Sequence, residues 1–330
     1  MKNDDIKKAY QAAGADKAIG GQAVIEGVMM RGKRMYAIAV RTPDGHIETV
    51  REDVTPVSDK YKLFKLPILR GIASFLSSLV VGMEILMKSA EIAGENLEDE
   101  EPSKFERYLI DKFGETAFMK FLIYVSVAVA LVISVAVFML LPVYVGGFFE
   151  GLLKGNTWAL GIIEGTVRIA LFLGYLSLVG RNRDIQRVFQ YHGAEHKTIN
   201  CFEADCELTP EKVAEYPRLH KRCGTSFLLI VMVISMIVFL FLRTDVFLER
   251  VLWRVLLVPF IAGASYEFIK WAGRSKSKAA YYLSYPGLCL QKVTTREPDL
   301  SQIETAITAL KEVLKSENNE GAVAGGGQPS

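Results

Sequence analysis

The chain has 330 residues, half of them apolar, and 39 basic against 37 acidic side chains leave a net charge of +2. That charge says little by itself, but with no basic stripe with interleaved aromatics nucleic acid is not expected as a partner. The apolar residues are gathered in long runs rather than spread at helical spacing, which predicts a membrane protein.

Residues 1–18 are polar and helix-prone, with no cleavable signal. Ala23 to Met30 reads as one apolar strand interrupted by Glu26, which either faces solvent or closes an active site. Met35–Arg41 and His46–Asp53 flank Pro43-Asp44-Gly45, a turn signal, and predict a hairpin. Residues 19–62 are therefore expected to form a small β-rich domain. Leu66 to Ala93 is apolar over only about half a span and is punctuated by Arg70, Glu84 and Lys88. It predicts an interfacial or re-entrant helix, joined to an acidic linker within residues 63–112.

Four runs predict full crossings: Phe118–Val145 and Trp158–Gly180 within 113–180, then Ser226–Leu242 and Val251–Ala272 within 224–272. In 273–315, Leu288–Thr295 looks strand-like and Ser301–Leu314 repeats apolar residues at helical spacing. The tail, 316–330, is expected to be disordered. The predicted fold is thus a mainly α-helical polytopic membrane protein: four transmembrane helices, an interfacial or re-entrant helix and a small cytoplasmic β-rich domain.

Loop charge sets the orientation. Arg181, Arg183, Arg187, Lys197, Lys212, Arg218, Lys221 and Arg222 lie between the second and third runs, and Arg274, Lys276 and Lys278 follow the fourth. The positive-inside rule puts both termini and residues 181–223 in the cytoplasm. There thiols stay reduced, so Cys201, Cys206, Cys223 and Cys289 are not expected to pair as disulfides.

The densest chemistry is His192-Gly193-Ala194-Glu195-His196. Histidines four apart on a helix lie one above the other and can reach one metal ion, and Glu195 sits where a metallohydrolase keeps its general base. The order is that of the inverted zinc-protease box. Zinc is the expected metal, and a third ligand is required. His220 is favoured, because Arg218 to Gly224 returns to the same membrane face. Glu267 and Cys223 are the other metal or supporting candidates, together with Glu26. With three protein ligands a position stays open for water; with His192, His196, His220 and Cys223 all bound, the site would be closed and structural. Inside the second run, Glu164 and Arg168 are four apart and predict an intramembrane polar pair.

Several stretches resemble the YqhQ-like family (DUF1385) of bacterial membrane proteins: Gly20 to Arg31, Pro67 to Gly71, Tyr191 to Thr198, His220 to Ser226, Pro286 to Leu288 and Thr294 to Asp299. The resemblance covers about residues 19 to 315. It implies a multi-pass protein of the bacterial inner membrane, of a group catalogued as metal-dependent enzymes. Four histidines are too few for a membrane di-iron centre, and Gly20-Gly21 lacks the Lys-Ser/Thr of a phosphate loop. Two function classes fit. One is a metal-dependent hydrolase acting on a membrane-proximal peptide or lipid, with Glu195 as base. The other is a transporter or assembly factor with a structural or sensory metal.

Overall fold

The computed structural model describes residues 19–54, 64, 66–94, 104–154, 156–242, 246–275 and 277–325. They fall into two compact units, one within Met1–Glu95, Leu176–Ile234 and Val258–Ser330, the other within Asn96–Tyr175 and Ser235–Leu257. The predicted segment 1–18, the acidic linker at 95–101 and the last five residues of the predicted tail, 326–330, lie outside the described residues.

In the first unit, β1 (Gly20–Val24), β2 (Gly27–Arg31), β3 (Met35–Arg41) and β4 (Ile47–Asp53) form an antiparallel sheet in sequential order. The hairpin predicted around Pro43-Asp44-Gly45 is present, with Gly45 at φ 91°. The single strand expected from Ala23 to Met30 is instead a hairpin. Glu26 adopts φ 50° and reverses the chain, so Val24 pairs with Gly27. The apolar pattern hid this turn because a glutamate, not a glycine, holds the left-handed position.

Both faces of the sheet are covered, which is why β2 and β3 carry runs of apolar residues rather than alternation. Val24, Met29, Ile38 and Val40 pack on Ile85 of α1 (Leu69–Ile92). Val28, Met30, Ala37 and Ala39 pack on Tyr191 and Ala194 of α6 (Arg183–Glu203) and on Ile303, Ile307 and Leu310 of α11 (Leu300–Gly325).

Four helical stretches are long and apolar enough to cross a membrane: α1; Val125–Glu150; α5 (Thr157–Val179); and Val251–Arg274, within α9 (Phe247–Arg274). The count matches expectation but the membership does not. Leu69–Ile92 qualifies by length and composition, whereas the expected third span is the shorter, 17-residue α8 (Gly224–Leu240).

Two further expectations give way. Leu288–Thr295 is not a strand but the end of α10 (Lys278–Thr294). Ser277 caps that helix by accepting from the Ala280 N–H, and Ala280, Ser284, Gly287, Leu288, Gln291 and Thr294 are buried at helical spacing. Eight residues cannot separate an apolar strand from the last turns of a buried helix. The tail expected to be disordered from 316 is helical to Gly325.

The second unit holds α2 (Lys104–Phe113) and α3 (Glu115–Val135), which runs through a π-helical turn at Ala136–Leu140 into α4 (Leu141–Glu150). Such a turn frees main-chain carbonyls, and the Phe138 carbonyl accepts from Arg168 Nε at 2.8 Å. Glu164 and Arg168, expected as a pair, are both buried, but the ion partner of Glu164 is Arg254 while Arg168 bonds that carbonyl. Arg254 of α9 reaches the Glu164 carboxylate at 2.5 Å, and both guanidiniums stack on Phe239 at 5.2 Å. All three charged residues are at most 5% exposed.

Candidate metal centre

Helix α6 starts at Asn182, whose side chain accepts from the Asp184 N–H at 2.7 Å. The helix is polar, yet from Gly193 to Cys201 every residue is buried. Its polar side chains bind the segment that follows. Lys197 Nζ donates to the Ala214 carbonyl at 2.8 Å, and Asn200 Nδ2 donates to those of Pro217 and Leu219 at 2.7 and 3.0 Å. These bonds fold residues 214–219 back along α6 and carry the chain from Arg218 to Cys223 across the face that holds His192 and His196. Gly193 allows a second close approach: a Cβ there would stand 2.1 Å from the Arg296 carbonyl oxygen.

The result is a group of three. One ligand atom each from His192, His196 and Cys223 lies within 4.8 Å of the other two. Cys223 Sγ is 3.3 Å from His192 Nε2, and the two imidazole centroids are 4.4 Å apart. Both imidazoles are oriented by main-chain carbonyls: His192 Nδ1 lies 2.8 Å from Thr294 O, and His196 Nδ1 lies 2.7 Å from Arg218 O. A carbonyl only accepts, so each Nδ1 carries the proton and each neutral ring keeps its Nε2 lone pair for a ligand. This is the orientation common at metal sites. The thiol is prepared as well. The Thr225 N–H points at Cys223 Sγ from 3.4 Å, at the start of α8, where unpaired amides favour a thiolate. Two imidazoles and a thiolate suit a borderline divalent ion such as zinc and leave a fourth position open.

The electrostatics follow from burial and proximity. Burial resists a Cys223 thiolate, but His196 and His192 together hold it well below the usual thiol range. Burial also resists charge on His192, but the neighbouring thiolate outweighs it and lifts the imidazole to about 9. Without a metal, the pair thus shares a proton that an ion would replace. Burial raises the Glu195 carboxyl above the ordinary carboxylate value, with His196 and His192 opposing. Glu195 Oε2 lies 4.0 Å from His192 Nε2. Glu195 and His192 line a cavity of about 640 Å³, bounded by β1, by Ser78 and Gly82 of α1, and by the start of α8.

The remaining candidates lie elsewhere. His220, favoured as the third ligand, stands beside His196 with ring centroids 5.7 Å apart but is not in the group of three. Gln291 clamps its main chain at N–H and carbonyl, both at 2.8 Å, and its Nε2 lies 3.5 Å from Glu203. Burial, reinforced by His196, lowers its pKa to about 3 and keeps it neutral. Glu267 is bound by Arg70 through both oxygens and lines a separate cleft with Lys270, Trp271 and Arg274. Glu26 takes neither of its expected places: it pairs with Arg187 and accepts from the Tyr191 hydroxyl at 3.3 Å, one and two turns into α6. Arg187, Arg218, Thr225, Arg254 and Thr294 are not site candidates from the sequence. Only Thr225 carried a readable signal, as an amide donor beside a cysteine at a helix start.

A comparison with family models matches residues 66–316 to Protein of unknown function (DUF1385). The chain is also similar to the protein named Uncharacterized protein YqhQ of Bacillus subtilis (strain 168), at 38% identity over 308 residues, 91% of this chain and 93% of that protein. No solved structure matches it. With the family match spanning most of the chain and the identity extending over nearly all of both proteins, the chain belongs to the DUF1385 family.

Proposed function

We propose that the chain is a metal-dependent hydrolase of the cytoplasmic face of the bacterial inner membrane, acting on a membrane-proximal peptide or lipid. The observation that carries this reading is the convergence of His192, His196 and Cys223, with His192 and Glu195 at the wall of one cavity. Zinc bound by the three would supply a Lewis acid and a water acidified to near neutral pH. Glu195 accepts a proton at its carboxylate. Its burial raises its proton affinity toward the operating pH, which suits a general base that must then pass the proton to a leaving group. The Thr294 and Arg218 carbonyls hold the imidazoles, and Gly21 leaves room for the glutamate, since a Cβ there would stand 2.7 Å from Glu195 Cγ.

The same unit supports the membrane setting. Gly71 of α1 meets Gly263, about eleven residues and thus about 16 Å before the end of α9. The other half of α1 packs on the sheet. A helix that begins deep beside a span and ends packed on the sheet is read as re-entrant rather than crossing. Both termini then lie in the cytoplasm, as the loop charges require.

The Cys223–His192 contact also favours a second reading, in which Cys223 is a thiol nucleophile and His192 its base. One experiment separates the two. Purified protein is analysed for metal and for hydrolysis as wild type, Glu195→Gln and Cys223→Ser. The metal reading expects about one ion per chain in wild type and Glu195→Gln, with activity lower in the latter by about 10² to 10⁴. Activity surviving complete chelation would sink it and leave the thiol reading.

A further inference from the structure

The strand nearest the candidate centre is an edge strand. β1 pairs with β2 and, among the described residues, with no other strand. Its ladder can be phased from bonds outside it. The Arg41 N–H donates to the Glu26 carbonyl at 2.8 Å, so alternate residues 26, 28 and 30 bond toward β3, and Gly27, Met29 and Arg31 bond toward β1. Their partners are Val24, Gln22 and Gly20. The main-chain groups of Gly21, Ala23 and Ile25 must then point away from the sheet. One observation checks this phase: the Ile25 N–H donates outward, to Ser89 Oγ of α1 at 3.2 Å. Ser89 thus closes one end of the edge. Among the described residues no main-chain bond occupies Gly21 or Ala23 on the outer side.

That open edge borders the cavity. Gly21, Ala23, Ser78, Gly82, His192 and Glu195 all line it. Side chains at 21 and 23 face α6, and these are the two smallest the position could carry. The absent side chain of Gly21 brings the strand's backbone against the Glu195 carboxylate. A chain added to this edge would run about 4.8 Å from β1, through the space beside His192 and Glu195. The volume, about 640 Å³, is that of a ligand cavity.

We propose that β1 is a template strand: an extended peptide pairs with the N–H and C=O groups of Gly21 and Ala23, which lays its backbone across Glu195 and the His192/His196/Cys223 group. The proposal rests on the hydrolase reading and narrows it to peptide. Regularly spaced donors and acceptors on a strand edge recognise another main chain, whereas an acyl chain has nothing to pair with them.

The probe is a labelled peptide of alternating threonine and valine with lysine ends. It is titrated by fluorescence anisotropy against full-length, metal-loaded Glu195→Gln protein in detergent, and cleavage is followed with wild type. N-methylation of every peptide amide should abolish binding, while methylation of alternate amides, which leaves one edge free, should keep it within a few-fold. Ala23→Pro removes an outward N–H without touching the ladder and should weaken binding about ten-fold; Ala23→Ser, which keeps the N–H, should not. The methylated peptides test the idea even if the proline variant fails to fold. Equal binding of the fully methylated peptide, no binding at all, or a cavity filled by phosphatidylglycerol to the exclusion of peptide would overturn the proposal. Amide-dependent binding without cleavage would leave the template strand standing while the hydrolase reading falls. Cleavage undiminished by Ala23→Pro would do the reverse.

Discussion

The Thr294 carbonyl oxygen lies 2.8 Å from His192 Nδ1, and this contact fixes the proton on the nitrogen that faces away from Cys223. Thr294 is the last residue of α10, so a helix end on one side of the unit decides which nitrogen of His192 is offered on the other. The Arg218 carbonyl does the same for His196. Orientation of this kind can alter metal affinity by 10- to 100-fold when lost.

The first prediction concerns the ligand set. Single substitutions His192→Ala, His196→Ala and Cys223→Ser should each abolish stoichiometric retention of zinc, measured by elemental analysis after purification. His220→Phe and Glu267→Gln should retain it. Metal lost with His220→Phe while Cys223→Ser keeps it would reverse the assignment of the third ligand.

Part of this arrangement was legible in the chain. The four-residue spacing of His192 and His196 is a local property of a helix, and so are the long apolar runs and the Pro43-Asp44-Gly45 turn. The third donor was not legible. Choosing between His220 and Cys223 depends on how residues 214–219 fold back, and that path is set by Lys197 and Asn200 bonding to carbonyls 17 to 19 residues away. The partner of Glu164 was hidden for the same reason: Arg254 is 90 residues distant. The turn at Glu26 escaped notice because it takes its left-handed φ without a glycine, held by Arg187 and Tyr191 from another element.

A second prediction concerns the wall that α1 gives the cavity. Glu52 accepts from Lys88 of α1 and from the Tyr36 hydroxyl, and these bonds hold its carboxyl below the ordinary value, against a smaller opposing effect of burial. A carboxyl depressed in the folded state contributes stability above its unfolded pKa of about 4.3, and that contribution is lost as pH falls through the lower folded value. Both side chains are more than a third exposed, so screening limits the effect to about 0.2–1 kcal/mol. Thermal melts should show Glu52→Gln less stable than wild type near neutral pH, with the gap closing below about pH 4. A gap that widens in acid would contradict the assignment.

A third prediction addresses the buried charges of the second unit. Arg254 pairs with Glu164 and Arg168 donates to the Phe138 carbonyl, while Arg168 Nη2, Arg254 Nε and Arg254 Nη1 are buried without a hydrogen-bond partner among the described residues. Removing the carboxylate leaves the Arg254 guanidinium unpaired in a low dielectric, beside a second buried guanidinium, and breaking a buried pair in this way costs about 3–5 kcal/mol. Glu164→Gln should therefore lower the melting temperature of detergent-purified protein sharply. The double variant Glu164→Gln, Arg254→Met should recover part of the loss. Additive losses in the double variant would show that the pair is not coupled.

The last prediction concerns orientation. Large apolar side chains stand exposed along the candidate spans, among them Val132 at 68% and Leu252 at 63%, as a lipid-facing surface requires. Leu152, 78% exposed, follows the end of α4, and Val246 directly precedes α9. If residues 181–223 lie in the cytoplasm with the sheet, the chain must emerge on the opposite side at these two positions. Cysteines placed at Leu152 and Val246 should then react in intact cells with a membrane-impermeant maleimide that has crossed the outer barrier. Cysteines placed at Glu48 of β4 and Glu211 of α7 (Pro210–Ala214), both exposed, should react only after lysis. Labelling of Glu48→Cys in intact cells would put the sheet and the His192/His196/Cys223 group on the outer face, and the proposal of a cytoplasmic substrate would fall with it.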